Sequence, residues 1–433
     1  MNADVPTAIP ANFQDCFDYL LCDVADQFIR CVLTFDTRLD AERLRSAARA
    51  TIDMVPVLGC RYDTSVRRPM WRRIEGLEAR PLVTLVETAD PASAIEVLVV
   101  APMDRERDAR VALTLVRGPE SDALVVTVDH VASDARGVKE YACLLASAYS
   151  SLAEDPDWRP APGPVLRPDD GRLARAAIPR RDRWRSSLGM PKTPPGFVVP
   201  GRWADHSGRR VERATIEPAA FRSIRSWGRD RDLTVNDMLL AAMARAAFAV
   251  FDHTPGAPVT FQCTADLRRF MPEGGDGIVC NLSAVGKLPI TPNAGESLEA
   301  TADQARVRMA EWKDIYLGLG VSLVGSRVYR LGGLPLLRGL MAHGFEAMRV
   351  KGETSPALTN FGVIDDSRMR FADAAPVEAW MSGPLAFGNS LLVVASTYRD
   401  RLTLSTGWCD SDIDRDLPRD LLTGTVRELS AVV

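Results

Sequence analysis

The chain has four histidines, at 130, 206, 253 and 343, and only His130 stands among residues that could share chemistry with it. It lies in Asp129-His130-Val131-Ala132-Ser133-Asp134-Ala135-Arg136-Gly137, between an apolar run and a helical pattern. A neutral imidazole takes a proton from an alcohol or amine as that group attacks a carbonyl, provided its neighbours hold one ring nitrogen toward the substrate. Asp134 and Gly137 are placed to shape such a loop. On spacing alone the stretch fits a histidine that caps a helix better than a base, because a carboxylate four residues after a histidine arises readily by chance. His206, in a proline-rich segment, and His253, before Pro255, read as surface or capping residues. His343 falls in an apolar helical stretch, where it either lines a cavity or is simply packed. Asp365-Asp366, with no histidine or third carboxylate nearby, reads as a turn rather than a metal pair. Arg180-Arg181-Asp182-Arg183 fits solvated surface or a contact for a phosphate group.

Positioning His130 requires a strand before it and a helix after it. Residues 124–128 form an apolar run ending at His130, and with 111–116 they flank the turn-rich Gly118-Pro119-Glu120-Ser121-Asp122, as in a hairpin. From Arg136 onward Val138, Tyr141, Ala142, Leu145, Ala146 and Tyr149 share one helix face. Strands are also expected at 27–35, 57–62 and 80–86, with a helix N-capped by Asp40 that turns Leu44, Ala47, Ala48, Thr51 and Ile52 to one side. In the second half, strands are expected near 211–216, 259–264, 282–288, 357–363, 390–397 and 401–406. Helices are expected from Pro218 to 229, at 238–251 behind a Thr234/Asp237 capping box, at 297–316 and on to about 348, and at 414–429. The class is mixed α/β. Residues 156–202 hold ten of the 29 prolines, and ten Lys+Arg against four Asp+Glu, with little periodicity. This predicts an exposed crossover joining units 1–155 and 203–433.

Composition narrows the function. With 46% hydrophobic and 25% charged residues among 433, the chain is an ordinary globular protein, and a net charge of -4 gives no general pull toward nucleic acid. Apolar runs such as 123–128 and 391–395 are far shorter than the ~20 residues of a membrane span. The first residues carry no basic-then-apolar leader pattern, so a cytoplasmic location is expected. The eight cysteines, at 16, 22, 31, 60, 143, 263, 280 and 409, form no C-x-x-C pair and read as buried thiols.

His130 and Asp134, with Asp134-Ala135-Arg136-Gly137 behind them, resemble the H-x-x-x-D-G mark of the chloramphenicol-acetyltransferase-like acyltransferases. That superfamily includes condensation domains, wax-ester synthases, polyketide-associated acyltransferases and plant BAHD enzymes. Six further segments are similar to its landmarks in the right order: Pro56 to Tyr62, Thr234-Val235-Asn236-Asp237, Ala265 to Arg269, Cys280-Asn281-Leu282, Thr359-Asn360-Phe361-Gly362 and Thr397 to Leu402. The resemblance spans about residues 26 to 408. It implies two similar subdomains, 1–155 and 203–433, with the active site in a tunnel between them. His130 would be the general base. Asp134 would be structural, turned from substrate to pair with Arg268, and Gly137 would shape the site. Asp129, Ala135, Asn281, Thr359 and Asn360 are the candidate substrate-binding positions. Asn281 and Asn360 equally fit residues that satisfy strand-end backbone groups. Two positions depart from the pattern: Asp129 stands where condensation domains carry a first histidine, and Ala135 replaces the motif glycine. The D-F-G-W-G signature of BAHD enzymes is missing, with Gly383-Pro384-Leu385-Ala386-Phe387-Gly388 in its neighbourhood.

The implied activity is metal-independent acyl transfer from a thioester to a hydroxyl or amine in secondary or lipid metabolism, with no bound cofactor. The co-substrate would be acyl-CoA or a phosphopantetheine thioester, and the partners a small-molecule acceptor and an acyl or peptidyl carrier protein, which the Arg180–Arg183 run could greet. The alternatives are a standalone amide-forming condensation enzyme and an inactive relative that serves as a docking module.

Overall fold

The computed structural model describes residues 5–161, 167, 169–188, 199–251, 256–271, 275–291, 293, 295–352 and 354–433. His253 lies outside them. The first half runs β1 (Ala8–Pro10), α1 (Phe13–Leu21), β2 (Phe28–Thr34), α2 (Ala41–Met54), β3 (Cys60–Asp63), β4 (Met70–Arg73), β5 (Val83–Glu87), α3 (Pro91–Leu98), β6 (Val111–Arg117), β7 (Asp122–Asp129) and α4 (Ala135–Glu154). There follow α5 (Asp170–Ala177), α6 (Arg183–Leu188), β8 (Arg209–Ile216), α7 (Pro218–Arg229), α8 (Val235–Val250), β9 (Val259–Asp266), β10 (Ser283–Ile290), α9 (Leu298–Asp314) and α10 (Val321–Lys351). β11 (Ala357–Val363), β12 (Glu378–Ser382), β13 (Leu392–Tyr398), β14 (Arg401–Cys409) and α11 (Asp416–Ser430) close the chain.

Among the described residues these strands form two mixed sheets, ordered β12-β2-β7-β6-β5 and β10-β9-β11-β13-β14-β8, and a small antiparallel sheet β1-β4-β3. β7 is the strand that matters for His130. All eight of its residues are buried, as an apolar run must be when strands flank it on both sides and both sheet faces are covered. One face of its sheet packs on α4 and α2. The buried residues of α2 are Leu44, Ala47, Ala48, Thr51 and Ile52, a stripe of period 3.6, and the Thr51 hydroxyl meets that of Tyr141 on α4 at 3.1 Å. Burying each large aliphatic side chain there contributes about 1.5–3 kcal/mol.

The second sheet has its own core under α8, α9 and α11. In it β11 runs parallel to both β9 and β13. β12 leaves this half of the sequence and pairs with β2, Trp380 opposite Val32, so the first sheet is completed by a strand from the far end of the chain.

Several elements differ from expectation. Residues 57–62 begin as a 3-10 turn, Pro56–Gly59, and become a strand only at Cys60, because proline opens a tight turn more readily than a ladder. Short elements with weak patterns, β1, β4, β12, α1 and α3, were not legible. The proline-rich segment is not simply an exposed crossover. Within it α5 and α6 form, Leu173, Ala174, Ile178, Ser186 and Val199 are buried, and Arg167 is ion-paired with the buried Asp15. The described prolines of the segment, Pro156, Pro160, Pro179 and Pro200, lie outside the two helices, where they cost no helical hydrogen bond.

Candidate active site

The site starts at the end of β7. The register pairs Asp129 with Phe28 of β2, and the next residue's N–H, that of His130, donates to Gln27 O at 2.8 Å. Successive strand residues point to opposite sides, so Asp129 and His130 have different fates. Asp129 is 1% exposed; its carboxylate accepts from Arg110 Nη1 at 2.9 Å, Arg105 Nε at 3.1 Å and the Val131 N–H at 3.1 Å. Burial raises its pKa, but Arg105 and Arg110 outweigh that and hold the carboxyl below its ordinary value. Asp129 is therefore a strut of the loop. Expected at a substrate-binding position, Asp129 lies off the wall of the cavity beside His130, with its carboxylate enclosed by the two arginines. Behind it Asp26 and Arg30 form a second buried pair at 2.9 Å, and Arg105 lies over Phe28.

His130 itself is half-buried. Its Nδ1 is sealed from solvent without a hydrogen-bond partner, which leaves Nε2 as the open ring nitrogen. Asn281 holds the loop from the other side: its Nδ2 donates to His130 O at 2.7 Å and Val131 O at 2.9 Å. Of the two readings of Asn281, satisfaction of backbone groups is the one the geometry supports, since both amide protons are spent.

Asp134 has two duties. As N-cap of α4 it accepts from the Gly137 N–H at 2.9 Å, and it takes the Leu282 N–H at 2.7 Å. Its two oxygens also accept from Arg268, Nη1 at 2.8 Å and Nη2 at 3.0 Å, in the bidentate geometry that planar guanidinium favours. Burial pushes the Asp134 carboxyl up, but the guanidinium and the backbone donors more than offset it, and the net direction is down. Arg268 Nη2 further donates to Cys280 O at 2.8 Å. The pair thus ties the loop after β7 to the segment between β9 and β10. Gly137 permits this approach: a Cβ there would lie 2.1 Å from Ser133 Oγ and 3.0 Å from Cys280 N.

A cavity of about 290 Å³ opens beside this junction. The first half lines it with His130, Asp134, Ala135 and Lys139, and the second with Thr264, Ser283, Thr359 and Asn360, among others. Ala135, Thr359 and Asn360, expected near substrate, lie on its wall; Arg268, Asn281 and Gly137 do not. Asn360 is already committed. Its Nδ2 donates to Asn236 Oδ1 at 2.7 Å, and its Oδ1 accepts from the Gly362 N–H at 2.9 Å across a bulge in β11. The Thr264 and Thr359 hydroxyls bond one another.

Lys139 was missed by sequence reasoning. It sits one turn into α4, 7% exposed, and its Nζ donates to Phe361 O and, at 2.9 Å, to Val363 O. Burial drives its pKa down to about 8. A lysine between Val138 and Tyr141 on the core side of the helix was the available signal.

The remaining candidates fall elsewhere. His206 Nδ1 is 2.6 Å from Asp412 and the ring stacks on Phe387. His343 is exposed on α10 rather than packed, and it does not line the cavity beside His130. Asp365 caps a 3-10 turn, accepting from Ser367 N at 3.1 Å. Among the described residues no group of histidines, cysteines and carboxylates could hold a metal, and all eight cysteines are free, seven of them buried.

No protein-family model matches the sequence, and no curated protein matches it. Solved structures do match over nearly the whole chain. Polyketide synthase associated protein 5 from Mycobacterium tuberculosis superposes with TM-score 0.69 at 15% identity, covering 98% of this chain and 97% of that one. Trichothecene 15-O-acetyltransferase from Fusarium sporotrichioides gives TM-score 0.75 at 12% identity, covering 98% and 95%. The first condensation domain of the CDA synthetase gives 0.69 at 15% identity, covering 100% and 97%. Over nearly its whole length this chain has the fold shared by these condensation-domain, acetyltransferase and polyketide synthase associated structures.

Proposed function

We propose that the chain transfers an acyl group from a thioester, CoA-bound or carrier-protein-bound, to a hydroxyl or amine, with His130 as general base. The observation that carries this reading is the open Nε2 of His130 on the wall of a cavity to which both halves contribute. The acceptor's O–H or N–H gives its proton to Nε2 as its heteroatom attacks the thioester carbonyl. The tetrahedral intermediate then collapses, the C–S bond breaks, and the proton passes to the departing sulfur, which leaves as a thiol. The thioester supplies the activated carbonyl, so the protein's tasks are proximity, a base and stabilisation of the oxyanion. The polar groups on the cavity wall suited to the last task are Ser283, the Thr264/Thr359 hydroxyl pair and the Lys139 ammonium. A non-catalytic docking module is the second reading, favoured by the Ala135 methyl on the cavity wall where the related motif carries glycine. Thiol release from a panel of acyl-CoA and acyl-pantetheine donors, with alcohol and amine acceptors, separates the two. Release that requires acceptor and disappears in His130→Ala supports the transferase; donor binding without release in parent and variant alike supports the docking module.

A further inference from the structure

Away from the cavity, α10 turns an apolar face outward. In its first turns Ser322, Leu323, Ser326 and Tyr329 are buried, while Val321, Val324 and Leu331 follow one stripe on the outer side, with exposures of 45%, 46% and 75%. α6 runs beside the start of α10, joined by a hydrogen bond from Ser187 Oγ to Gly320 O at 3.2 Å. It exposes Trp184 at 77% and Leu188 at 66%, one turn apart. The same two helices and the adjoining turn carry exposed arginines: Arg185 on α6, Arg327 and Arg330 on α10, and Arg67 and Arg68 in the β3–β4 turn. Arg67 and Arg68 lie against α10, donating to Leu331 O and Arg330 O. None of the five has a carboxylate partner among the described residues. From 321 to 351 the sequence has five basic residues and a single acid, Glu346.

We propose that this face docks on an anionic phospholipid membrane. Exposed aliphatic side chains and a tryptophan leave water favourably, and arginines that face no carboxylate among the described residues repel one another until anions meet them. A bilayer surface answers both at once, with acyl chains below and negative headgroups beside the guanidinium groups. Tryptophan and arginine are also suited to that boundary, one through its amphipathic ring and the other through a long stem that reaches the headgroups. The apolar side chains are spread over two helices and flanked by a turn. A fluid surface accommodates such a face, whereas a protein groove shaped for one helix does not. No helix among the described residues is long and apolar enough to cross a membrane, so docking would be peripheral. The inference stands apart from the acyl-transfer reading, because none of these residues lines the cavity.

The test is co-sedimentation of the full chain with phosphatidylcholine vesicles, with and without phosphatidylserine. Binding should require phosphatidylserine and weaken with salt. The double substitution Arg327→Gln/Arg330→Gln should weaken it about 25-fold, at about fivefold per arginine. Leu331→Glu should abolish it while leaving the melting temperature unchanged, since the side chain touches solvent. Failure to bind the phosphatidylserine vesicles, or binding indifferent to both variants, overturns the proposal. A concentration-dependent dimer broken by Leu331→Glu, without vesicle binding, would also overturn it and assign the face to a second copy of the chain.

Discussion

Replacing Asp134 or Arg268 with alanine should reveal one coupled unit. Asp134→Ala removes the bidentate partner of a guanidinium that is 3% exposed, which keeps only the half-exposed Asp266, at 3.2 Å, as a carboxylate, and also leaves the Gly137 and Leu282 N–H groups without their acceptor. A fully stranded buried charge costs about 3–5 kcal/mol, of which the remaining Asp266 contact recovers part, and each orphaned N–H costs about 1 kcal/mol or more. Arg268→Ala leaves the carboxylate buried, but with its two backbone donors in place, so the loss should be smaller, about 3 kcal/mol. The double variant strands neither charge, and its loss should fall well short of the sum, with a coupling of about 2–3 kcal/mol. Urea unfolding of all four proteins at neutral pH measures the cycle. The pH dependence has a defined sign. The folded-state pKa of Asp134 is lowered, so its contribution is present above the unfolded value of about 3.9 and is lost as pH falls through the folded value. The stability gap between parent and Asp134→Ala should therefore narrow in acid. Additive losses, within about 0.5 kcal/mol, would refute the pairing argument. Unchanged stability in Asp134→Ala with abolished thiol release would refute the structural role and make Asp134 part of the chemistry.

His130→Ala should lower turnover ~10²-fold or more with the unfolding midpoint unchanged; stopped-flow thiol release and urea titration check both halves. In the series Ala135→Gly, parent, Ala135→Val, kcat/KM for a pantetheine donor should be equal or higher in the first and lowest in the last, because the methyl lines the cavity; a flat series would show that donors do not pass this wall. Lys139 titrates near 8 when folded, against about 10.4 unfolded, so the folded state holds fewer protons between those values and stability should rise with pH across that window. Lys139→Met should remove that rise, read as the difference in urea midpoint between pH 8 and pH 10. Gly137→Ala should destabilise by about 1–3 kcal/mol, as its Cβ meets Ser133 and the Cys280 backbone.

Local pattern was enough wherever burial repeats with the period of one element. The stripe on α2, the capping box of Thr234 and Asp237, and the unbroken apolar run of β7 each state their structure within a few residues, since side-chain direction follows from 3.6- or 2-residue periodicity. The motif around His130 was legible for the same reason, as it lies within one strand-to-helix connection. Partners far apart in the chain were not. That Asp129 is enclosed by Arg105 and Arg110 follows from β6 lying beside β7 and a loop closing over both. That Asn281 spends its amide on the backbone of residues 130 and 131, and that Lys139 reaches the carbonyls of β11, depends on contacts across 150 and more than 220 positions. β12 was invisible because a short segment behind a proline has little pattern of its own; its strand state comes from the free edge of β2. The sequence alone determined which residue types could do chemistry and which local turn presents them. Tertiary structure decided which polar groups stay free, because buried donors and acceptors are stable when partnered, and the partners of Asp134, Lys139 and Asn281 lie more than a hundred positions away in the chain.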